Sequence, residues 1–187
     1  KKIGAGAFLS VCQGSTAQDA AIVKLQRQPK TKSQVKRPRI TLVGKGVTYD
    51  TGGINLKPAR YMFGMHGDMT GAAVAFSLFK YIVSQNWDCE LSAYLAIAEN
   101  AIGPEAYHPN QVVKALNGKT IEIVHTDAEG RMLLSDTLTL ASREKPDFIL
   151  DFATLTGSCV GAISNRYCGV FSNRRDSFEN ILKAGRE

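Results

Sequence analysis

The sequence predicts an α/β fold with a central mixed β-sheet flanked by helices on both faces. Apolar segments of strand length alternate along the chain with amphipathic segments of helix length. The 187 residues are 44% hydrophobic, enough to bury one sizeable core, and a single domain over residues 1–187 is expected. The residues with the most chemistry to offer fall where predicted strands give way to loops, the usual location of sites in open α/β sheets.

Taken in order, residues 21–25 and 40–43 read as strands on either side of a basic loop. In that loop Lys24, Arg27, Lys30, Lys32, Lys36, Arg37 and Arg39 gather around Pro29 and Pro38. A glycine-rich turn follows at Gly44-Lys45-Gly46. Residues 68–85 carry Met69, Ala72, Ala73, Phe76, Phe79, Ile82 and Val83 at helical spacing. Residues 91–98 read as a strand, 111–116 as a short helix, and 120–125 as a strand that delivers Asp127. A helix is expected over 132–143, a buried strand over 148–152, and a last strand over 168–172.

Composition closes off several functional classes. No apolar run is long enough to span a bilayer. The net charge of +6 is largely local to the 24–39 loop, which no aromatic residues interleave; it reads more readily as a solvated loop than as a nucleic-acid surface. With three histidines and no His-Glu-x-x-His, a zincin-type protease is excluded. There is no Gly-x-Ser-x-Gly elbow. Gly44-Lys45-Gly46 fails as a phosphate loop, because Arg39 stands where a glycine is needed and Gly46 where Ser or Thr is needed. Cys12, Cys89, Cys159 and Cys168 lack paired spacing, so a structural zinc site is not expected, and scattered thiols suit a reducing, cytoplasmic setting.

Thr126-Asp127-Ala128-Glu129-Gly130-Arg131 carries the strongest signal. Read as an extended segment, it puts two carboxylates and a guanidinium on one side, which is costly to bury without a cation against it. Upstream lie Lys45, Asp50, Lys57 and Asp68. Two unit charges about 4 Å apart interact by roughly 4 kcal/mol at an effective dielectric near 20. Asp50, Asp68, Asp127 and Glu129 gathered in one cleft would repel by several such terms, and some would take up protons. Two divalent cations would balance them and leave Lys57 and Arg131 free for an anionic transition state, which points to a two-metal hydrolytic site.

These residues resemble the leucyl aminopeptidase family of dinuclear metallo-exopeptidases, whose signature reads Asn-Thr-Asp-Ala-Glu-Gly-Arg-Leu. The matching stretch runs from His125 to Met132, and further blocks match at Val43 to Pro58, Asp68 to Ala73 and Ala153 to Gly157. The resemblance implies metal ligation by Lys45, Asp50, Asp68, Asp127 and Glu129, with Asp50 and Glu129 serving both ions. The ions would be zinc or manganese, with magnesium also compatible. Lys57 would stabilise the gem-diolate, and Arg131 would hold a bicarbonate as proton shuttle. Met65, Thr154, Leu155 and Gly157 would line the first side-chain pocket. The substrates implied are peptides with a free amino terminus, hydrolysed by a two-metal-activated water, in a homo-oligomer that is a hexamer in the family. Family members also carry an amino-terminal domain and a longer catalytic domain, so an incomplete catalytic domain is expected here.

His125 stands in place of the family's asparagine and Met132 in place of leucine. His125 reads as a tolerated or specificity-altering change, not as a ligand. His66 and His108 read as ordinary surface or loop residues. Two other functions remain open: a different dinuclear metallohydrolase such as a phosphoesterase, and a nucleic-acid-binding or regulatory role through the 24–39 loop.

Overall fold

Twelve consecutive residues, Arg39–Asp50, form the strand around which the sheet is built. The computed structural model describes residues 3–17, 19–29 and 36–186. In chain order the elements are α1 (Gly6–Cys12), β1 (Ala21–Arg27), β2 (Arg39–Asp50), α2 (Ala59–Met62), α3 (Thr70–Ser84), β3 (Glu90–Asn100), β4 (Val112–Lys114), β5 (Thr120–Glu122), α4 (Glu129–Arg143), β6 (Phe148–Phe152), α5 (Gly157–Ile163) and α6 (Phe178–Ala184). They fall into two compact units, Lys1–Thr154 and Leu155–Glu187. The first contains a four-stranded sheet of order β1-β3-β2-β6. β2 runs parallel to β3 and β6, while β1 is antiparallel to β3, so the sheet is mixed.

Successive strand residues point to opposite faces, and both faces are covered. Leu42 and Ala93 pack with Ala75 and Ile82 of α3. Their neighbours Val43 and Tyr94 pack with Leu134 and Ala141 of α4. Further along the α4 face, Val47, Ala96 and Ala98 join Phe8 and Val11 of α1 and Leu133 of α4. The near-continuous apolar character of β2 and β3 follows from burial on both sides.

Several elements differ from expectation. β2 continues through the presumed turn at Gly44-Lys45-Gly46, so Lys45 and Asp50 are strand residues. Residues 111–116 are no helix: Val112–Lys114 is a strand that pairs antiparallel with Thr120–Glu122. β-branched Val112 and Val113 favour the extended form, and Asn117-Gly118 closes the hairpin with Gly118 at φ 87°. β5 ends at Glu122, short of the expected residue 125. Phe148–Phe152 is a strand but not a buried one, since it borders β2 alone and its first four residues are exposed. Residues 168–172 form no strand. Of the basic loop, Lys30 and Lys32 lie outside the described residues; Lys24 pairs with Glu144, Arg37 with Asp88 at 2.5 Å and Lys36 with Asp147 at 3.8 Å.

Glycines set how closely α3 approaches the sheet. A Cβ at Gly71 would stand 2.2 Å from the Phe152 carbonyl oxygen, and one at Gly44 would stand 2.5 Å from Ala72 Cα. Both obstacles are backbone, so a methyl group forces the helix away from the strands. Gly71→Ala is expected to cost about 1–3 kcal/mol or more of stability. It should also loosen Asp68, which sits just before α3. An unchanged urea midpoint would contradict this packing. No helix among the described residues is long and apolar enough to cross a membrane.

Candidate metal centre

Strand alternation aims Lys45 at the α4 face, the side to which Val43 and Val47 also point. Asp50 ends the same strand. Asp68 lies between a 3-10 turn, Met65–Gly67, and α3. Asp127 sits in the turn before α4, and Glu129 is the first residue of that helix. This overturns the extended reading of 126–131. Glu129 is 2% exposed and faces the sheet, whereas Arg131 is exposed, because two residues along a helix turn a side chain about 200° away.

Four carboxylates and two lysines meet here. Lys45 Nζ, on a residue only 1% exposed, lies 2.6 Å from Asp68 Oδ1, 3.0 Å from Glu129 Oε1 and 2.7 Å from the Thr154 carbonyl oxygen. Lys57 Nζ lies 3.1 Å from Asp50 Oδ2 and 2.5 Å from Asp127 Oδ1. Asp50 Oδ1 accepts hydrogen bonds from the Gly52 amide at 2.9 Å and from Asn100 Nδ2 at 2.8 Å. The Thr154 hydroxyl donates to Asp68 Oδ1 at 2.6 Å.

Burial dominates the protonation behaviour. It lifts the Glu129 carboxyl to about 7, with Lys45 opposing and Asp50 and Asp68 reinforcing the rise. Asp68 is likewise raised by burial, against the pull of Lys45 and Thr154. Burial raises Asp127 too, and Lys57 opposes it. Burial alone would lower Lys57, but its hydrogen bonds and charge interactions with Asp127 and Asp50 raise it. The Tyr107 hydroxyl is pushed upward by burial and by Glu129, Asp50 and Asp127.

The donor set suits divalent cations. One carboxylate oxygen from each of Asp50, Asp127 and Glu129 lies within 4.8 Å of the other two. The buried Asp68 Oδ2 has no hydrogen-bond partner. Two ammonium groups against four carboxylates leave two negative charges uncompensated when all ionise, which in a buried site calls for cations. Oxygen-rich coordination matches hard or borderline ions.

The remaining expected site residues are distributed as follows. Met65 is half-buried in the 3-10 turn before Asp68. Thr154 contacts both Lys45 and Asp68. Leu155 and Gly157 belong to the second unit, Gly157 opening α5. The Arg131 side chain is exposed in the first turn of α4. His125 does contribute: its Nδ1 accepts the Asp127 amide at 3.2 Å, as an asparagine oxygen would in the same turn. Sequence reasoning missed Asn55, Asn100 and Tyr107, which bond to the segments that carry Asp50 and Asp127. The available signal was Asn100, a polar residue ending an apolar strand at the register of Asp50.

Residues 1–187 match the cytosol aminopeptidase family, catalytic domain. A probable cytosol aminopeptidase of Saccharophagus degradans is 45% identical over 187 residues, all of this chain and 37% of that protein. The cytosol aminopeptidase of Pseudomonas aeruginosa is 42% identical over 185 residues, 99% of this chain and 37% of its own length. Among solved structures, the leucyl aminopeptidase of Trypanosoma brucei in complex with bestatin superposes with a TM-score of 0.92 at 38% identity, over 99% of this chain and 35% of that one. The apo leucyl aminopeptidase of Trypanosoma cruzi gives 0.92 at 42% identity, over 99% and 36%. The chain therefore spans little more than a third of the relatives it matches. Over that span the sequence and the fold agree: this chain belongs to the cytosol aminopeptidase family.

Proposed function

We propose that this chain is the catalytic portion of a metal-dependent aminopeptidase that removes the amino-terminal residue from peptides with a free amino terminus. The observation that carries this reading is the convergence of buried Asp50 and Glu129 with half-buried Asp127, beside Asp68 and two lysines. By the family resemblance, Lys45, Asp50, Asp68, Asp127 and Glu129 would hold two divalent ions; zinc or manganese would suit the donors best, and magnesium is compatible. When bound, such ions supply Lewis acidity and lower the pKa of water toward about 7.

The protein's own groups do the rest. The Lys57 ammonium, held 3.1 Å from Asp50 and 2.5 Å from Asp127, would stabilise the negative charge that develops on the substrate carbonyl oxygen. The exposed Arg131 guanidinium offers a bidentate seat for bicarbonate, which would move the proton where no side chain serves as general base. By the family resemblance, Met65, Thr154, Leu155 and Gly157 contribute to the pocket for the departing residue. A hexameric assembly rests on the same resemblance, and a cytosolic location on the names of the relatives. The nucleic-acid reading gains no support, since Lys24, Lys36 and Arg37 of the basic segment are paired with acidic side chains, and the phosphoesterase reading gains none from the family match.

The test is metal content after manganese or zinc loading and desalting, beside an Asp50→Ala, Glu129→Ala double variant. Close to two ions per parent chain and far fewer in the variant are expected. Hydrolysis of a free-amine peptide, but not its acetylated form, should follow in the full-length protein. A folded parent that retains no metal would sink the proposal.

A further inference from the structure

A hydrogen-bonded clasp joins the two segments that supply the metal centre. Asn55 donates its amide to Thr126 Oγ1 at 2.8 Å, and Thr126 donates its amide to Asn55 Oδ1, also at 2.8 Å. The Thr126 hydroxyl in turn donates to the Gly52 carbonyl oxygen at 2.6 Å. The Thr126 carbonyl oxygen accepts from the Tyr107 hydroxyl at 2.5 Å and from Asn100 Nδ2 at 3.2 Å. That same Asn100 amide group donates to Asp50 Oδ1, so both its hydrogens are spent on the site. Thr126 and Asn100 are wholly buried. The turn is pressed onto them: a Cβ at Gly53 would stand 3.1 Å from both Thr126 Oγ1 and Asn100 Oδ1.

The bonding has a direction that packing alone does not require. The 50–57 turn presents Asp50 and Lys57, while the segment after Thr126 presents Asp127 and Glu129. The lysine of one meets the carboxylate of the other at 2.5 Å. Every contact above either crosses between these two segments or fixes one of their ends. We propose that Asn55, Thr126 and Asn100 are positioning residues that set the spacing between the Asp50–Lys57 turn and the Asp127–Glu129 segment. None touches a reacting atom. The assignment rests on the metal-dependent reading above, and it predicts that the clasp tunes metal affinity as outer-shell groups do.

The experiment is a manganese titration of the whole chain and of Asn55→Ala, Thr126→Val and Thr126→Ser. Each is measured at a temperature where circular dichroism shows it fully folded. Asn55→Ala and Thr126→Val should bind manganese about 10- to 100-fold more weakly, and Thr126→Ser should recover most of the loss by restoring the hydroxyl. An Asn55→Ala, Thr126→Val double variant should be little weaker than the poorer single one, since both break one clasp. Backbone hydrogen exchange should quicken at Asn55 in Thr126→Val. A purely structural role would lower melting temperature and leave the affinity of the folded protein unchanged. Asn55 is half-buried, so Asn55→Ala keeps the question answerable if Thr126→Val does not fold. Parent-like affinity in folded Asn55→Ala overturns the clasp alone. A parent that binds no manganese overturns the metal-dependent reading and the clasp with it.

Discussion

Lys45→Met is expected to destabilise the metal-free chain by about 3–5 kcal/mol, because it removes the internal counter-ion of two buried carboxylates. Lys45 Nζ is the cation against both Asp68 and Glu129, and methionine fills its space without its charge. The loss should depend on pH. Burial already raises Glu129 from an ordinary value of 4.5 to about 7, so between those values the folded state keeps a proton that the unfolded chain releases. Stability therefore falls as pH rises across that window, and it should fall further in the variant, where nothing opposes the burial. Saturating manganese should restore part of it, about 2.7 kcal/mol at one hundred times the dissociation constant. Urea denaturation at pH 5 and pH 8, with and without manganese, checks all three. A variant as stable as the parent at pH 8 would show that Lys45 is not the counter-ion.

Asp136→Ala is the second large effect expected, and it lies away from the acidic cluster. Asp136 is completely buried on α4; its Oδ2 accepts the Phe8 amide at 2.9 Å and its Oδ1 the Leu116 amide at 2.7 Å. Phe8 is in the first turn of α1, whose own flanking residue Ala5 provides no side-chain cap. Asp136 thus caps that helix from 128 positions away, and with the same carboxylate it pins the turn after β4. Alanine strands the buried Phe8 N–H, at about 1–3 kcal/mol, and the half-buried Leu116 N–H at less, so a loss of about 2–4 kcal/mol is expected. An asparagine side chain would keep one acceptor, so Asp136→Asn should cost less than alanine. A shift in urea midpoint equivalent to less than about 1 kcal/mol would mean that water replaces the carboxylate.

Where apolar patterning was long and regular, the sequence was legible. Residues 68–85 read correctly as a helix within two residues at the amino-terminal end and one at the other, because a helical stripe over fifteen positions admits few alternatives. Residues 111–116 did not, since a three-residue strand has too few positions to show a period, and Asn117-Gly118 was the better guide. Residues 148–152 were apolar enough to suggest burial, yet β6 borders only β2 and stays exposed. Composition reports what a strand would accept on its faces, not what is packed there.

The site divides in the same way. Which residues converge in the cluster was expected from residue type and order: four carboxylates and two lysines in motifs resembling one enzyme family. How they face one another did not. The alternation that seemed to align Asp127, Glu129 and Arg131 belongs to a strand, and α4 begins at Glu129, so the helix buries Glu129 against Lys45 and turns Arg131 outward. The clasp of Asn55 with Thr126 spans 71 positions, and the cap of Phe8 by Asp136 spans 128. Sequence alone determined the inventory of charged residues and most of the alternation of strands and helices, because residue chemistry and periodicity are local. Only the tertiary structure decided pairing, burial and protonation, because those depend on distances between segments remote in the chain and on the water excluded between them.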